Sequence, residues 1–302
     1  MEHFVWDMQP EIFRLGFIAP RYYGLMFALG FLTAYHIVQW MYQREGRNIE
    51  DLSSLLFHLI VGCVVGARLG HCLFYQPEYF LRNPHEILFI WNGGLASHGG
   101  SIGVILAAYL YSRKHPDQPF VWIMDRCAPG TAFVSGCIRV GNFFNSEIIG
   151  RPTDVSWAVI FKKIDMVPRH PAMLYESISY FTLAAILMAM YFRSGRDTKP
   201  GRLIGFMLFG IYLARIFIET VKENQVSFED TMAFNMGQLL SIPFVIIGFL
   251  LMSGLYRKII GEEAYDTLSV PKPAHYKEEK KQTPESKGPS QDKKKKKKRK
   301  KR

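Results

Sequence analysis

Six apolar stretches of this chain each carry ionisable, amide or glycine positions near one end, and these are the residues able to do chemistry. They are Arg21, Tyr22 and Tyr23; Arg68 and His71; Asn92, His98, Gly99 and Gly100; Arg139, Asn142, Asn145 and Glu147; Arg169, His170, Tyr175 and Glu176; and Arg215 with Glu219. Arginines suit a phosphate, because the planar guanidinium fork offers paired donors to two phosphate oxygens. Histidine is the natural proton acceptor near neutral pH. The glycines after His98 allow backbone to approach a substrate closely. No metal set accompanies these residues: HExxH is absent, and Cys63, Cys72, Cys127 and Cys137 form no CxxC or Cys/His ligand spacing. The cysteines read as small hydrophobes. The set points to a metal-free, cofactor-free site for a phospholipid headgroup.

Each member also has a plainer explanation. Arg215 and Glu219, four apart on one helix face, can simply neutralise each other. Arg139 can snorkel to headgroups, and Tyr23 and Trp91 can be interfacial anchors. His98 can bond a carbonyl. Convergence of all of them on one side favours a shared site. A transporter would need charged steps continuing to the opposite face, and only Asp125, Arg126 and His36 offer any. Asp125 and Arg126 read as a structural pair at the other end.

The elements that must position these residues are membrane helices. The chain has 302 residues, 49% of them hydrophobic, and the apolar ones come in blocks long enough to span a bilayer. Seven spans are expected, at about 22–43, 52–75, 95–113, 120–143, 171–192, 203–221 and 236–257. The fold class is thus an all-α polytopic membrane protein. Gly62, Gly66 and Gly70, with Gly99 and Gly103, predict close packing of the second and third spans. Basic residues mark alternate loops: Arg44 and Arg47; Arg113 and Lys114; Arg193, Arg196, Lys199 and Arg202; Arg257 and Lys258. Those loops are expected in the cytoplasm. The N-terminus then lies outside, and so do the polar ends of the spans. It lacks a basic stretch followed by an apolar run, so no cleavable signal is expected.

A transmembrane domain over 1–262 is expected, with a small external cap at about 144–170 and a disordered lysine-rich cytoplasmic tail at 263–302. The formal net charge is +11, but ten positive charges stand in 293–302, so the rest is nearly neutral and no nucleic-acid partner is expected. The tail suits the anionic inner leaflet instead.

Longer motifs carry a resemblance. NGGLASHGGSIGV (92–104), RVGNFFNSEIIGR (139–151) and PRHPAMLYE (168–176) resemble the prolipoprotein diacylglyceryl transferase family; RYYGLMF (21–27), GARLGHCLFY (66–75) and RIFIE (215–219) agree in order and spacing. The resemblance covers about residues 20–258. It implies transfer of the diacylglyceryl group of phosphatidylglycerol to the thiol of a prolipoprotein's lipobox cysteine. Glycerol phosphate leaves, on the outer face of the bacterial inner membrane. It implies that His98, Arg139 and Arg215 are catalytic, with Glu219 orienting Arg215. Tyr23, Arg68, Gly99, Gly100, Asn142, Asn145, Glu147, His170 and Tyr212 are expected at the substrate. Where the family pattern has a tyrosine four residues before this second arginine, the chain has Ile211, with Tyr212 beside it as the substitute. The stretch between Arg151 and Pro168 is short for the family, which implies a reduced cap.

Overall fold

The computed structural model describes residues 3–16, 18–223, 232–266 and 268. Long helices dominate: α1 (Tyr22–Arg44), α2 (Ile49–Phe74), α4 (Ser97–Lys114), α5 (Phe120–Asn145), α6 (Ala172–Ser194), α7 (Arg202–Ile218) and α8 (Met236–Ser253). Short α3 (Pro77–Arg82), α9 (Tyr256–Ile260) and α10 (Glu262–Asp266) complete the helical set. Helix ends are specified locally. Asn48 caps α2 by accepting from Glu50 N. Asn235 and Gln238 form a reciprocal capping box at the start of α8.

Five helices are long and apolar enough to cross a membrane: α1, α2, α6, α7 and α8. Helices α4 and α5 begin and end close to the expected spans but are not apolar enough to meet that measure on their own; α5 carries Asp125, Arg126 and Arg139. The outward faces of the apolar helices are bare hydrocarbon, with Leu25, Phe31, Phe57, Val65, Ile178 and Ile246 exposed. Such a surface suits a lipid solvent.

Helices α2 and α4 touch backbone to backbone. A Cβ on Gly66 would lie 2.4 Å from Gly99 O, and one on Gly103 would lie 2.0 Å from Gly62 O. The small-residue stripe is therefore filled by the neighbouring helix, as spacing predicts. Gly103→Leu should lower the thermal unfolding midpoint in detergent, through overpacking worth at least about 1–3 kcal/mol. An unchanged midpoint would disprove this contact.

The loops sort to two ends. At one end Arg47 pairs with Asp117 at 2.7 Å, and Arg126 Nη2 lies 2.9 Å from Glu45 Oε1. Asp125 sits there too, but it does not pair with Arg126. Its carboxylate accepts from Gly201 N and Ile204 N at 2.8 and 2.9 Å, capping the start of α7. Adjacent helical residues point about 100° apart, so the two serve different neighbours.

The other end holds a feature the all-α expectation missed. A three-stranded sheet joins β1 (Phe4–Trp6), β2 (Val159–Phe161) and β3 (Pro168–Arg169), with β1 parallel and β3 antiparallel to β2. Its strands have only two or three residues each, too few for an alternating pattern to register. The sheet lies in the expected 144–170 cap and brings the N-terminal segment onto it.

The expected tail begins too early. Residues 263–266 belong to α10, where Tyr265 is buried against Tyr256, ring centroids 5.5 Å apart. Apart from Leu268, whose N donates to Tyr265 O, the remainder, including the 293–302 basic run, lies outside the described residues, as does 224–231 of the loop before α8.

Candidate active site

The signature run of α5 is gripped at its end by the cap. Trp6 packs on Phe143 with centroids 4.3 Å apart, and Tyr22 stacks on Phe144 at 4.7 Å. Ile149, Val159, Phe161 and Met173 close a small core beneath. Beyond Asn145 the chain reverses through Ser146 and Ile148, both at positive φ (57° and 58°). That conformation is costly for a β-branched residue. It returns Glu147 to the helix end, where its carboxylate accepts from Asn142 Nδ2 at 2.9 Å and Asn145 Nδ2 at 3.1 Å.

From Asn142 a chain of polar contacts crosses to α6, α7 and α8. Arg139 Nη1 donates to Asn142 Oδ1 at 3.3 Å, and its Nε lies 2.8 Å from Glu176 Oε2. Glu176, just past the first turn of α6, is fully buried. Its other oxygen accepts from Lys222 Nζ at 2.8 Å. Lys222 also donates to Glu219 Oε1 at 2.9 Å, and Arg215 Nε donates to the same oxygen at 3.2 Å. Glu219 accepts from the Asn235 amide as well, over the start of α8. Gly237 makes room for it, since a Cβ there would lie 2.6 Å from the Glu219 carboxyl carbon. A carboxylate over a helix N-terminus is favourably placed.

The network holds three cations (Arg139, Arg215, Lys222) and three carboxylates (Glu147, Glu176, Glu219), so it is balanced. Its two arginines are held chiefly through Nε. Among the described residues, neither terminal nitrogen of Arg215 makes a hydrogen bond, while Arg139 Nη1 donates to Asn142 and the guanidinium also lies against the Tyr180 hydroxyl. Two partly free guanidinium forks remain for an anion. A phosphate ester is a group that such a pair can take up with paired donors.

His98 stands on the first turn of α4, with its side chain exposed and no hydrogen bond or ion pair to another described residue. It begins α4 beside the C-terminal half of α2: Ala96 N, two residues earlier, donates to Ala67 O. Tyr23 lies against α5, and a Cβ on Gly141 would meet its ring at 2.8 Å. His170 Nδ1 is 3.0 Å from the Tyr175 hydroxyl, which also accepts from Trp157 Nε1 at 2.8 Å. Close by, the Arg169 guanidinium on Asp165 holds that carboxyl below its ordinary range.

Four expected site residues sit differently. Arg68 is buried and spends its guanidinium on the carbonyls of Glu86, Ile87, Gly93 and Gly94. It braces the 84–94 segment, because a buried cation must satisfy its donors locally. Above it opens a cavity of about 880 Å³, whose lining includes His71, Tyr75 and Glu78 but not His98, Arg139 or Arg215. Gly99 and Gly100 face α2: a Cβ on Gly99 would be 2.3 Å from Gly66 O, and one on Gly100 would be 3.4 Å from Cys63 Sγ. They are packing glycines, so their side-chain-free faces are not open to substrate. Tyr212 stacks on Phe244 of α8 at 4.4 Å, while Ile211 packs against the core cluster that includes Met207 and Leu183.

Sequence places Glu176 among the polar residues of the shared end but gives it no role, and it does not single out Lys222 or Asn235. Glu176 closes the PRHPAMLYE motif, and Lys222 lies one helical turn after Glu219. Either charge at a span end has an ordinary interfacial explanation, so only contact reveals them.

A family model described as prolipoprotein diacylglyceryl transferase matches residues 10–253. The chain is also similar to proteins named phosphatidylglycerol–prolipoprotein diacylglyceryl transferase. That of Tolumonas auensis is 49% identical over 247 residues, 82% of this chain and 95% of the relative. That of Chloroherpeton thalassium is 46% identical over 247 residues, 82% and 92% of the two chains. That of Bacteroides fragilis is 44% identical over 259 residues, 82% and 93%.

Proposed function

The chain belongs to the prolipoprotein diacylglyceryl transferase family, and from that premise we propose how its own residues carry out the reaction. The enzyme transfers the diacylglyceryl group of phosphatidylglycerol to the lipobox cysteine thiol of a prolipoprotein. In that step a sulfur–carbon bond forms at the glyceryl carbon as its bond to the phosphate oxygen breaks. Glycerol phosphate departs with the bonding pair, and the thiol proton passes to a base.

The two incompletely committed guanidinium forks carry the assignment of roles. Arg139 and Arg215 hold the phosphate and stabilise the charge that grows on the leaving oxygen. Glu176 and Glu219 aim them through Nε. His98, exposed and bonded to no other described residue, takes the thiol proton, because the thiolate is the competent nucleophile. Asn142, Asn145 and Glu147 line the glycerol headgroup and brace Arg139, with Tyr23 beside them. His170 contributes from the cap. Tyr212, stacked on α8, shapes the wall next to Arg215.

Helices α4 and α5 join the five apolar helices as spans, giving seven. The charges within α5, Asp125, Arg126 and Arg139, are shielded by neighbours, which membrane helices tolerate when charges face protein. Alternate basic loops then lie in the cytoplasm, with the N-terminus, cap and site at the outer face of the inner membrane. The lysine-rich C-terminal run lies on the anionic inner leaflet, at about 1 kcal/mol per basic residue near the surface.

The test is the purified full chain with phosphatidylglycerol vesicles and a lipobox peptide. Thioether-linked diacylglycerol on the peptide is the expected product. Its absence, with both substrates bound, sinks the reading.

A further inference from the structure

Lys222 is the one buried cation of the network that faces no open space. It is 4% exposed, and its ammonium sits between Glu176 Oε1 and Glu219 Oε1 at 2.8 and 2.9 Å. A lysine is almost never buried to this degree without paired charges. Each of its two carboxylates faces an arginine on its far side: Arg139 Nε lies 2.8 Å from Glu176, and Arg215 Nε lies 3.2 Å from Glu219. The signs therefore alternate along Arg139, Glu176, Lys222, Glu219 and Arg215.

The backbone of Lys222 is fixed as firmly as its ammonium. It follows the 3-10 turn Glu219–Val221 and pairs with Gly150. Its carbonyl accepts from Arg151 Nε at 2.9 Å, and Arg151 N donates to Val221 O at 2.8 Å. A Cβ on Gly150 would meet Val221 O at 2.7 Å, so the two segments approach as closely as only glycine allows. A side chain that is normally flexible is thus held at both ends. One of those ends is the segment that carries Glu147.

We propose that Lys222 is a positioning residue for diacylglyceryl transfer: its ammonium holds Glu176 and Glu219 together and so sets the spacing and aim of the Arg139 and Arg215 forks. This rests on the transferase reading above. Without the ammonium, two buried carboxylates face each other with no cation between them. Like charges at that range cannot both persist unchanged. One takes up a proton or both turn away, and the arginine bonded to each turns with it. A guanidinium displaced by an ångström no longer meets the leaving phosphate oxygen.

The experiment compares Lys222→Met, Lys222→Gln and Lys222→Arg with the unsubstituted full chain in the thioether assay, with unfolding midpoints measured alongside. Lys222→Met and Lys222→Gln should each slow transfer by about a hundredfold, the cost of a misplaced catalytic group. Lys222→Arg, which keeps the charge, should stay within about tenfold of the unsubstituted rate. In an Arg139→Lys background the added loss from Lys222→Met should shrink to under about tenfold, because residues acting through one another are not additive. No product from the unsubstituted chain refutes the transferase reading itself. If that chain is active and Lys222→Gln matches Lys222→Arg, the charge is not needed and the proposal fails. It fails equally if the Lys222→Met loss is undiminished beside Arg139→Lys. Should Lys222→Met not fold, the comparison of Lys222→Gln with Lys222→Arg decides.

Discussion

Arg139→Ala is expected to slow thioether formation by about a hundred- to a thousandfold, the range seen when one donor to a developing oxyanion is removed. The reason lies in how the residue is held. Nε faces the buried Glu176 and Nη1 donates to Asn142, so the guanidinium is locked in orientation while part of its fork stays free. Alanine removes that fork and leaves Glu176 fully buried with Lys222 as its remaining cation. Some loss of stability should therefore accompany the loss of rate. Arg139→Lys separates the two effects. It keeps the charge beside Glu176 but presents a point charge in place of paired donors, so stability should recover more than rate. Rates and unfolding midpoints of both variants check this. A full-speed Arg139→Ala enzyme would exclude Arg139 from the leaving-group site.

His98→Ala should cost about a hundred- to ten-thousandfold in rate, the span of general base catalysis. The contrast with Arg139 is structural. His98 is exposed and bonded to no described residue, so alanine orphans no buried partner. The unfolding midpoint should stay unchanged while transfer collapses. His98→Gln, which keeps polarity but accepts no proton, should be as slow as alanine. Rescue by glutamine would make His98 a hydrogen-bonding residue instead of the base. A lowered midpoint would show that His98 has a packing role.

Much of the frame was legible without coordinates, because membrane spans are a local property of sequence. An apolar block must become a helix in lipid, where every backbone amide needs an internal partner. That is why α1, expected at about 22–43, is Tyr22–Arg44, and α6, expected at about 171–192, is Ala172–Ser194. The glycines of α2 and α4 announced close packing by spacing alone. The motifs around His98, Arg139 and Arg215 pointed to the family that the comparisons establish.

Tertiary structure alone decided which polar groups meet. In a helix that is apolar nearly all round, periodicity does not say which face meets a neighbour, so the partner of an embedded charge cannot be read off. Asp125 and Arg126 are neighbours in sequence, yet one caps α7 and the other pairs with Glu45. Arg68 and Gly99 resemble site residues by type, but α2 and the 84–94 segment consume them. Lys222 and Glu176 look like ordinary interfacial charges until α6 and α7 pack, and they then join the two arginines into one network. Sequence determined which ends of the helices carry the polar residues, since charge and apolar length are read along the chain. How the helices rotate and pack determined which residues share it, since contact depends on neighbours far away in sequence.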